Sequence, residues 1–257
     1  MSRYLIVIFA ISTTVTAADM PMGTHITTRS AVVQTAPAQL AYARRLSTLA
    51  ATTTSDQHVV AVLQAYNAYE VVPVRWPKDS AMVCTARLEQ SLLFLHENLF
   101  QNAIDTADRG LMNCSSPLLH RVKGIALRRL GKRSEAEEAL KTARGAEGFA
   151  RLAATEKLIV VNELATFYEH ARNDREAIKY LREAAQYADP LTQIAMLMRS
   201  ADANERLHDV SGEREDLTAV DAALSRARGV SLSEGELAAL RVFDDDIARK
   251  HTSVGSH

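Results

Sequence analysis

Apolar residues along most of this chain return at three- and four-residue intervals, the period of a helix that buries one face, while β-branched runs are few. Leu40, Ala43, Leu46 and Leu49 share one such face. Beyond the break at Thr52 to Asp56, Val59, Val62, Leu63 and Tyr66 share another, which predicts an N-terminal helical hairpin over 38–70 with Ser55 or Asp56 capping its second helix. A more specific pattern follows. Gly124, Leu127, Gly131, Ala136, Leu140 and Ala143 stand at intervals of 3, 4, 5, 4 and 3 residues, and Ala165, Tyr168, Arg172, Ala177, Leu181 and Ala184 reproduce those intervals. Small, large, turn, small, large, small is the order two short antiparallel helices need if their backbones cross closely and bury a common face. Asn173 and Asp174 supply the second turn, where glycine is missing.

The same places recur on either side. Ala103 lies 33 residues before Ala136, with Ser91, Phe94, Asn98, Ala107 and Gly110 in phase around it. After Pro190 come Ile194, Leu197, Met198 and Ala201, a turn at Leu207 to Asp209, and Leu217, Val220 and Leu224, although Glu213 at a small-residue place predicts a loose hairpin. The expected units are therefore repeats at about 84–116, 117–148, 158–190 and 194–228, closed by a capping helix over 232–250 that starts at Ser231 or Ser233. The predicted fold class is all-α, an α-solenoid of stacked antiparallel hairpins with about 10–11 helices spanning 38–257. Ala136 to Ala177 exceeds the usual period by about seven residues, and the spacing over Glu147 to Leu164 predicts an overlong helix that absorbs them. Val71 to Lys78, with Pro73, Trp76 and Pro77, is expected to be the one long connection, with Trp76 packing over the end of the stack. The tail from His251 is expected to be disordered.

These places resemble the tetratricopeptide repeat, whose pattern of a Leu-Gly pair, an aromatic, a turn glycine, an alanine and a closing proline runs over about 34 residues. Tyr187-Ala188-Asp189-Pro190 supplies such a close. The resemblance implies a groove lined by the first helix of each hairpin, and hence a binding place for another protein or a peptide. Carried over residue by residue, the groove positions are Leu88, Leu92, Leu95 and His96, then Arg121, Ile125, Arg128 and Arg129, then Asn162, Thr166, Glu169 and His170, and finally Met198, Asp202, Glu205 and Arg206.

Charge adds a local feature only. Lys and Arg number 30 against 31 Asp and Glu, so nothing global steers the chain to nucleic acid or an acidic membrane surface. Yet Arg121, Lys123, Arg128, Arg129, Lys132 and Arg133 occur with no intervening acid. They form either a clamp for acidic side chains or a C-terminal carboxylate, as in carboxylate-binding members of the family, or a solvated face paired with Glu135, Glu137 and Glu138.

Met1 to Ala18 has a positive start at Arg3, an apolar run from Tyr4 to Ile11 and a small-residue end, which reads as a secretory signal too short to span a bilayer. Asp19 to Pro37 reads as a flexible leader. Export to a periplasm or beyond would favour a disulfide between Cys84 and Cys114, since an antiparallel hairpin brings those two ends together; two buried free thiols are the alternative.

Catalytic chemistry finds little support. His96-Glu97 opens like a metalloprotease helix, but Phe100 stands where the second ligand is needed. Phosphate loops and nucleophile elbows are lacking, consecutive acids at Asp244 to Asp246 point different ways round a helix, and only His170 beside Glu169 suggests a remote hydrolase. No metal and no cofactor is expected. The leading function is an exported adaptor or scaffold; the alternative is a sensory or regulatory domain that binds a small molecule or a cell-wall fragment.

Overall fold

The computed structural model describes residues 34–53, 56–229 and 233–254. Among them, eleven α-helices and one short 3-10 helix account for the regular structure: α1 Ala36–Thr52, α2 Asp56–Arg75, α3 Ser80–His96, α4 Phe100–Leu111, α5 Pro117–Arg129, α6 Arg133–Gly145, the 3-10 turn Glu147–Arg151, α7 Ala154–His170, α8 Asp174–Ala185, α9 Pro190–Arg206, α10 Val210–Arg228 and α11 Glu234–Val254. Each odd-numbered helix up to α9 packs against its even-numbered successor, which gives five antiparallel hairpins, and α11 covers the last of them. The expected signal segment and most of the leader lie outside the described residues, as do Ser55 and Ser231.

Four hairpin turns share one backbone device. Asn98, Gly131, Arg172 and His208 all adopt left-handed φ values of 58°, 78°, 55° and 56°. In each, the amide of the following residue reaches back to a carbonyl five residues earlier: Leu99 to Phe94, Lys132 to Leu127, Asn173 to Tyr168, Asp209 to Asn204. This satisfies a carbonyl that the end of a helix would otherwise leave orphaned, and only glycine takes such a φ without a steric penalty. The second helices then start immediately. Asn173 and Asp209 cap α8 and α10 by accepting the amides of Glu176 and Gly212.

The small residues mark the crossings. Ser91, Ala103, Ala136, Ala165, Ala177 and Ala201 are fully buried. Gly124 is tightest: a Cβ there would meet Leu140 Cγ at 2.6 Å. Around these contacts one apolar cluster runs from Phe94 to Val254, while a second is confined to α1, α2 and the Ala86 and Leu93 side of α3. Trp76 is half-buried against that smaller cluster. Backbones of the first helices approach one another from α1 to α3, α3 to α5, α5 to α7 and α9 to α11, more closely than the second helices do, so the first-helix side is the inner side of the stack.

Several expectations need correction. The surplus after Ala136 does not lengthen a helix. The chain turns extended at Ala146, makes the 3-10 turn, and is extended again at Leu152 and Ala153. Glu156 accepts the Ala153 amide at 3.0 Å and so starts α7 afresh, while Phe149 is buried edge-on to Tyr187 with the Arg144 guanidinium 4.5 Å above its ring. The inserted residues thus carry a plug. Pro73 lies inside α2, two residues from its end, where its missing N–H costs a single bond, and the connection is shortened to Trp76–Asp79. Asp79 caps α3 by accepting the Met82 amide. The first helix starts at Ala36 rather than 38 because Thr35 caps it and Pro37 fits the first turn. Instead of fraying at His251, α11 runs to Val254, whose side chain is buried, and Ser233 with Glu236 forms its capping box. Nor is the α9–α10 hairpin loose, since Glu213 is only one part of a buried polar joint described below.

Candidate functional site

The inner face is where the groove positions fall, and most of its polar groups already engage a neighbouring hairpin. Arg44 on α1 holds Glu89 on α3 through Nε at 2.9 Å. Arg121 and Arg128, two turns apart on α5, both reach Glu163 on α7, at 3.2 and 3.5 Å. Arg199 on α9 grips Glu169 with both Nε and Nη2 and donates to Asn162 at 2.8 Å and Thr166 at 3.2 Å, all on α7. Arg206 reaches Asp174 at 2.6 Å, and Lys250 on α11 sits 2.8 Å from Asp202 and 2.7 Å from Glu205, both on α9. Burial pulls the Lys250 pKa down, but the hydrogen bonds from Asp202 and Glu205 outweigh it and the net shift is upward.

The groove residues therefore separate into three kinds. Ile125 is buried, as an apolar side chain between adjacent helices tends to be, while Met198 is mostly buried but lines a cleft between α9 and α11. Leu88 is packed partly against that core. Asn162, Thr166, Glu169 and Asp202 have partners inside the protein. Leu92, His96, Arg129 and His170 remain exposed.

The basic stretch runs from α5 into the first residue of α6, and several of its side chains have partners inside the protein. Lys123 pairs with Asp108 on α4 at 2.7 Å, Lys132 touches Glu135 at 4.0 Å, and Arg133 lies 5.9 Å over the Phe167 ring. Glu137 accepts from Tyr168 at 2.7 Å and pairs with Lys141, and those two hydrogen bonds lower its pKa. Glu163, which sequence reasoning overlooked, is what Arg121 and Arg128 face. One carboxylate between two guanidiniums leaves an excess positive charge, and the buried Nε of each arginine has no hydrogen-bond partner. Arg129, with no ion pair among the described residues, adds to that excess.

Arg44, Arg199 and Lys250 were also missed as inner-face groups. A signal was present: Arg44, then Glu89, then Arg121 and Arg128, then Glu163 and Glu169, then Arg199 puts opposite signs on successive first helices.

Cys84 at the start of α3 and Cys114 just after α4 are bonded, with Cα atoms 6.1 Å apart. Among the described residues, no group of three His, Cys, Asp or Glu side chains is placed to hold a metal ion. Glu169 accepts from Arg199, and no hydrogen bond joins it to His170 among the described residues. Asp244 and Asp246 pair with Arg228 and Arg249. No described helix is long and apolar enough to cross a membrane.

Two open clefts lie beside these helices. One, of about 570 Å³, has Ala195, Met198 and Phe243 between α9 and α11 under a charged rim. The other, of about 350 Å³, lies between α1 and α3 and is lined by Tyr69, Leu92 and Leu93 with Arg44, Glu89 and Glu97.

No protein-family model matches the sequence, and no curated protein matches it. Solved structures do match in fold. BtubC from P. vanneervenii aligns over 78% of this chain and 95% of its own at 14% identity, with a TM-score of 0.53. MamA aligns over 77% and 99%, also at 14% identity, with a TM-score of 0.52. Both are helical proteins of the tetratricopeptide type, so the likeness shows the architecture.

Proposed function

We propose that this chain is an exported interaction scaffold that holds a segment of another protein along its inner face. The observation that carries this reading is the surplus of positive charge where Arg121 and Arg128 share, among the described residues, the one carboxylate of Glu163, with Arg129 exposed next to Arg128 in the chain. An acidic segment, or a C-terminal carboxylate, supplies the acceptors these arginines lack. Exposed Leu92 on α3 offers an apolar contact farther along the same side. The Cys84–Cys114 bond agrees with an oxidising compartment such as a periplasm, and the fold likeness agrees with a protein that binds proteins. No nucleic acid, cofactor or catalytic step enters this reading.

The regulatory alternative needs an enclosed apolar pocket for a small molecule, whereas the two clefts above, and a third of about 370 Å³ lined by Leu49, Val60 and Ala61, are open. To test the scaffold reading, fluorescein-labelled acidic peptides with free and amidated C-termini are titrated against the full chain at several salt concentrations. Expected is binding that weakens with salt and falls at least about tenfold in Arg121→Glu/Arg128→Glu/Arg129→Glu, the loss of one or more charge-assisted contacts. Equal binding by the triple variant, with its helicity intact, rejects the assignment.

A further inference from the structure

His58, in the first turn of α2, bridges two other helices. Its Nδ1 is 2.7 Å from the carbonyl oxygen of Ala50 near the end of α1, and its Nε2 is 2.7 Å from Oε2 of Glu97, which follows the last residue of α3. A carbonyl and a carboxylate both accept. A neutral imidazole has one N–H and one bare nitrogen, so it can satisfy only one of them and must set a lone pair against oxygen at the other. The imidazolium satisfies both. The hydrogen bond to Glu97, then that to Ala50, raises the His58 pKa against the opposing effect of burial.

The joint this bridge crosses is the one where the apolar core divides. The smaller cluster holds α1 and α2 together and reaches Ala86 and Leu93 of α3, with Met82 partly buried against it. Other ties across it are the Tyr66–Phe94 ring contact, the Arg44–Glu89 pair, Gln90 to the Tyr66 carbonyl, and Glu70 with Arg87, Gln90 and, at 3.9 Å, Arg109 of α4. Facing the ring from α3 are Glu97 and His96, the latter mostly exposed and 3.3 Å from the other Glu97 oxygen. Along the same cleft stand Arg44 of α1, Glu89 of α3 and Tyr69 of α2, whose phenol burial pushes up to about 12. Of these groups His58 is the one whose folded pKa is raised from the ordinary histidine value, which lies in the mildly acid range.

We propose that His58 is a proton-operated clasp that fixes the α1–α2 hairpin to the end of α3 and, once deprotonated, frees the cleft between α1 and α3 to open. Because the folded pKa is raised, the clasp contributes fully below about 6.5, the ordinary histidine value, and is lost as pH rises through the folded value. The device is independent of what the inner face binds.

The test uses the full oxidised chain. Long-range nitrogen–proton NMR of the imidazoles should show both nitrogens of His58 protonated at pH 6.5 and titrating above the ordinary histidine range. Hydrogen exchange, corrected for its intrinsic pH dependence, should show protection of α1 and α2 falling as pH rises while α7 and α8 stay unchanged. The fall is about tenfold for each unit by which the folded pKa exceeds the unfolded one. His58→Gln should abolish this pH step, Glu97→Gln should move it to lower pH, and His96→Gln should leave it in place. Overturning results are a His58 with one bare nitrogen at pH 6.5, or a step that survives in both His58→Gln and Glu97→Gln.

Discussion

The α5–α6 and α9–α10 hairpins hold equivalent places in the repeat, yet they are closed by different chemistry. In α5–α6 the closing force is proximity. Gly124 admits Leu140 to a distance no Cβ would allow, and Ala136 and Ala143 are fully buried beside it. In α9–α10 the second helix has Glu213 where its counterparts have alanine, and hydrogen bonds do the closing. Asp216, 2% exposed, accepts from Ser200 at 2.6 Å and Asn204 at 2.7 Å on α9 and from Arg182 at 2.7 Å on α8. Gly212 makes room for Asn204, since a Cβ there would lie 2.7 Å from its amide oxygen. One crossing tolerates loss of polarity and not of space; the other tolerates neither loss of an acceptor nor addition of bulk.

Substitution should separate the two designs. The largest effect is expected for Asp216→Ala, which leaves the buried donors of Ser200 and Asn204 without their acceptor and Arg182 with only Glu215 and the Gly212 carbonyl. A cost of about 3–5 kcal/mol, read from urea unfolding, is the expectation, with Asp216→Asn milder. Equal, small losses in both would mean that α9–α10 is held by apolar contact after all. The α3–α4 hairpin adds a covalent tie, and Cys84→Ser/Cys114→Ser should cost about 3.5 kcal/mol by loop entropy, with no further loss on adding reductant. Gly124→Ala comes next: forcing Leu140 aside costs about 1–3 kcal/mol, offset by about 1 kcal/mol of helix propensity, so a net loss near 1 kcal/mol is expected in the melting temperature. Stabilisation by Gly124→Ala would show that the crossing has slack. Smallest, and opposite in sign, Arg172→Gly should stabilise by about 0.5 kcal/mol by relieving a side chain held at a left-handed φ of 55°.

What the chain disclosed beforehand was what its own periodicity repeats. Asn98, Gly131, Arg172 and His208 mark turns whatever their side chains, because five-residue spacing to the next small residue fixes them; the small residues between them mark crossings. The cysteine pair was readable for the same reason, since antiparallel helices return the chain to its start. Where periodicity lapses, the reading failed. Glu147 to Ala153 has helical apolar spacing, but burying Phe149 against Tyr187 and Arg144 outweighed continuing the helix. Pro73 looked like a terminator, yet a proline two residues from a helix end forfeits little. The inner face was legible in outline and misread in detail. A position on a helix turns about 100° per residue, so a pattern carried over by spacing places Ile125 in a groove when its apolar side chain is buried. That Glu163 would stand before two arginines, and Arg199 across Asn162, Thr166 and Glu169, depends on contacts between residues 30–42 apart in the chain, which local spacing does not encode.

The bond between Cys84 and Cys114 also governs how the chain transmits a pull. Tension applied through the two ends of the chain passes along the backbone until it meets that bond, crosses it, and skips everything between. The stretch so bypassed, 30 positions long, keeps about 100 Å of slack out of reach of the load, so the unfolding chain yields less length in oxidising surroundings than in reducing ones.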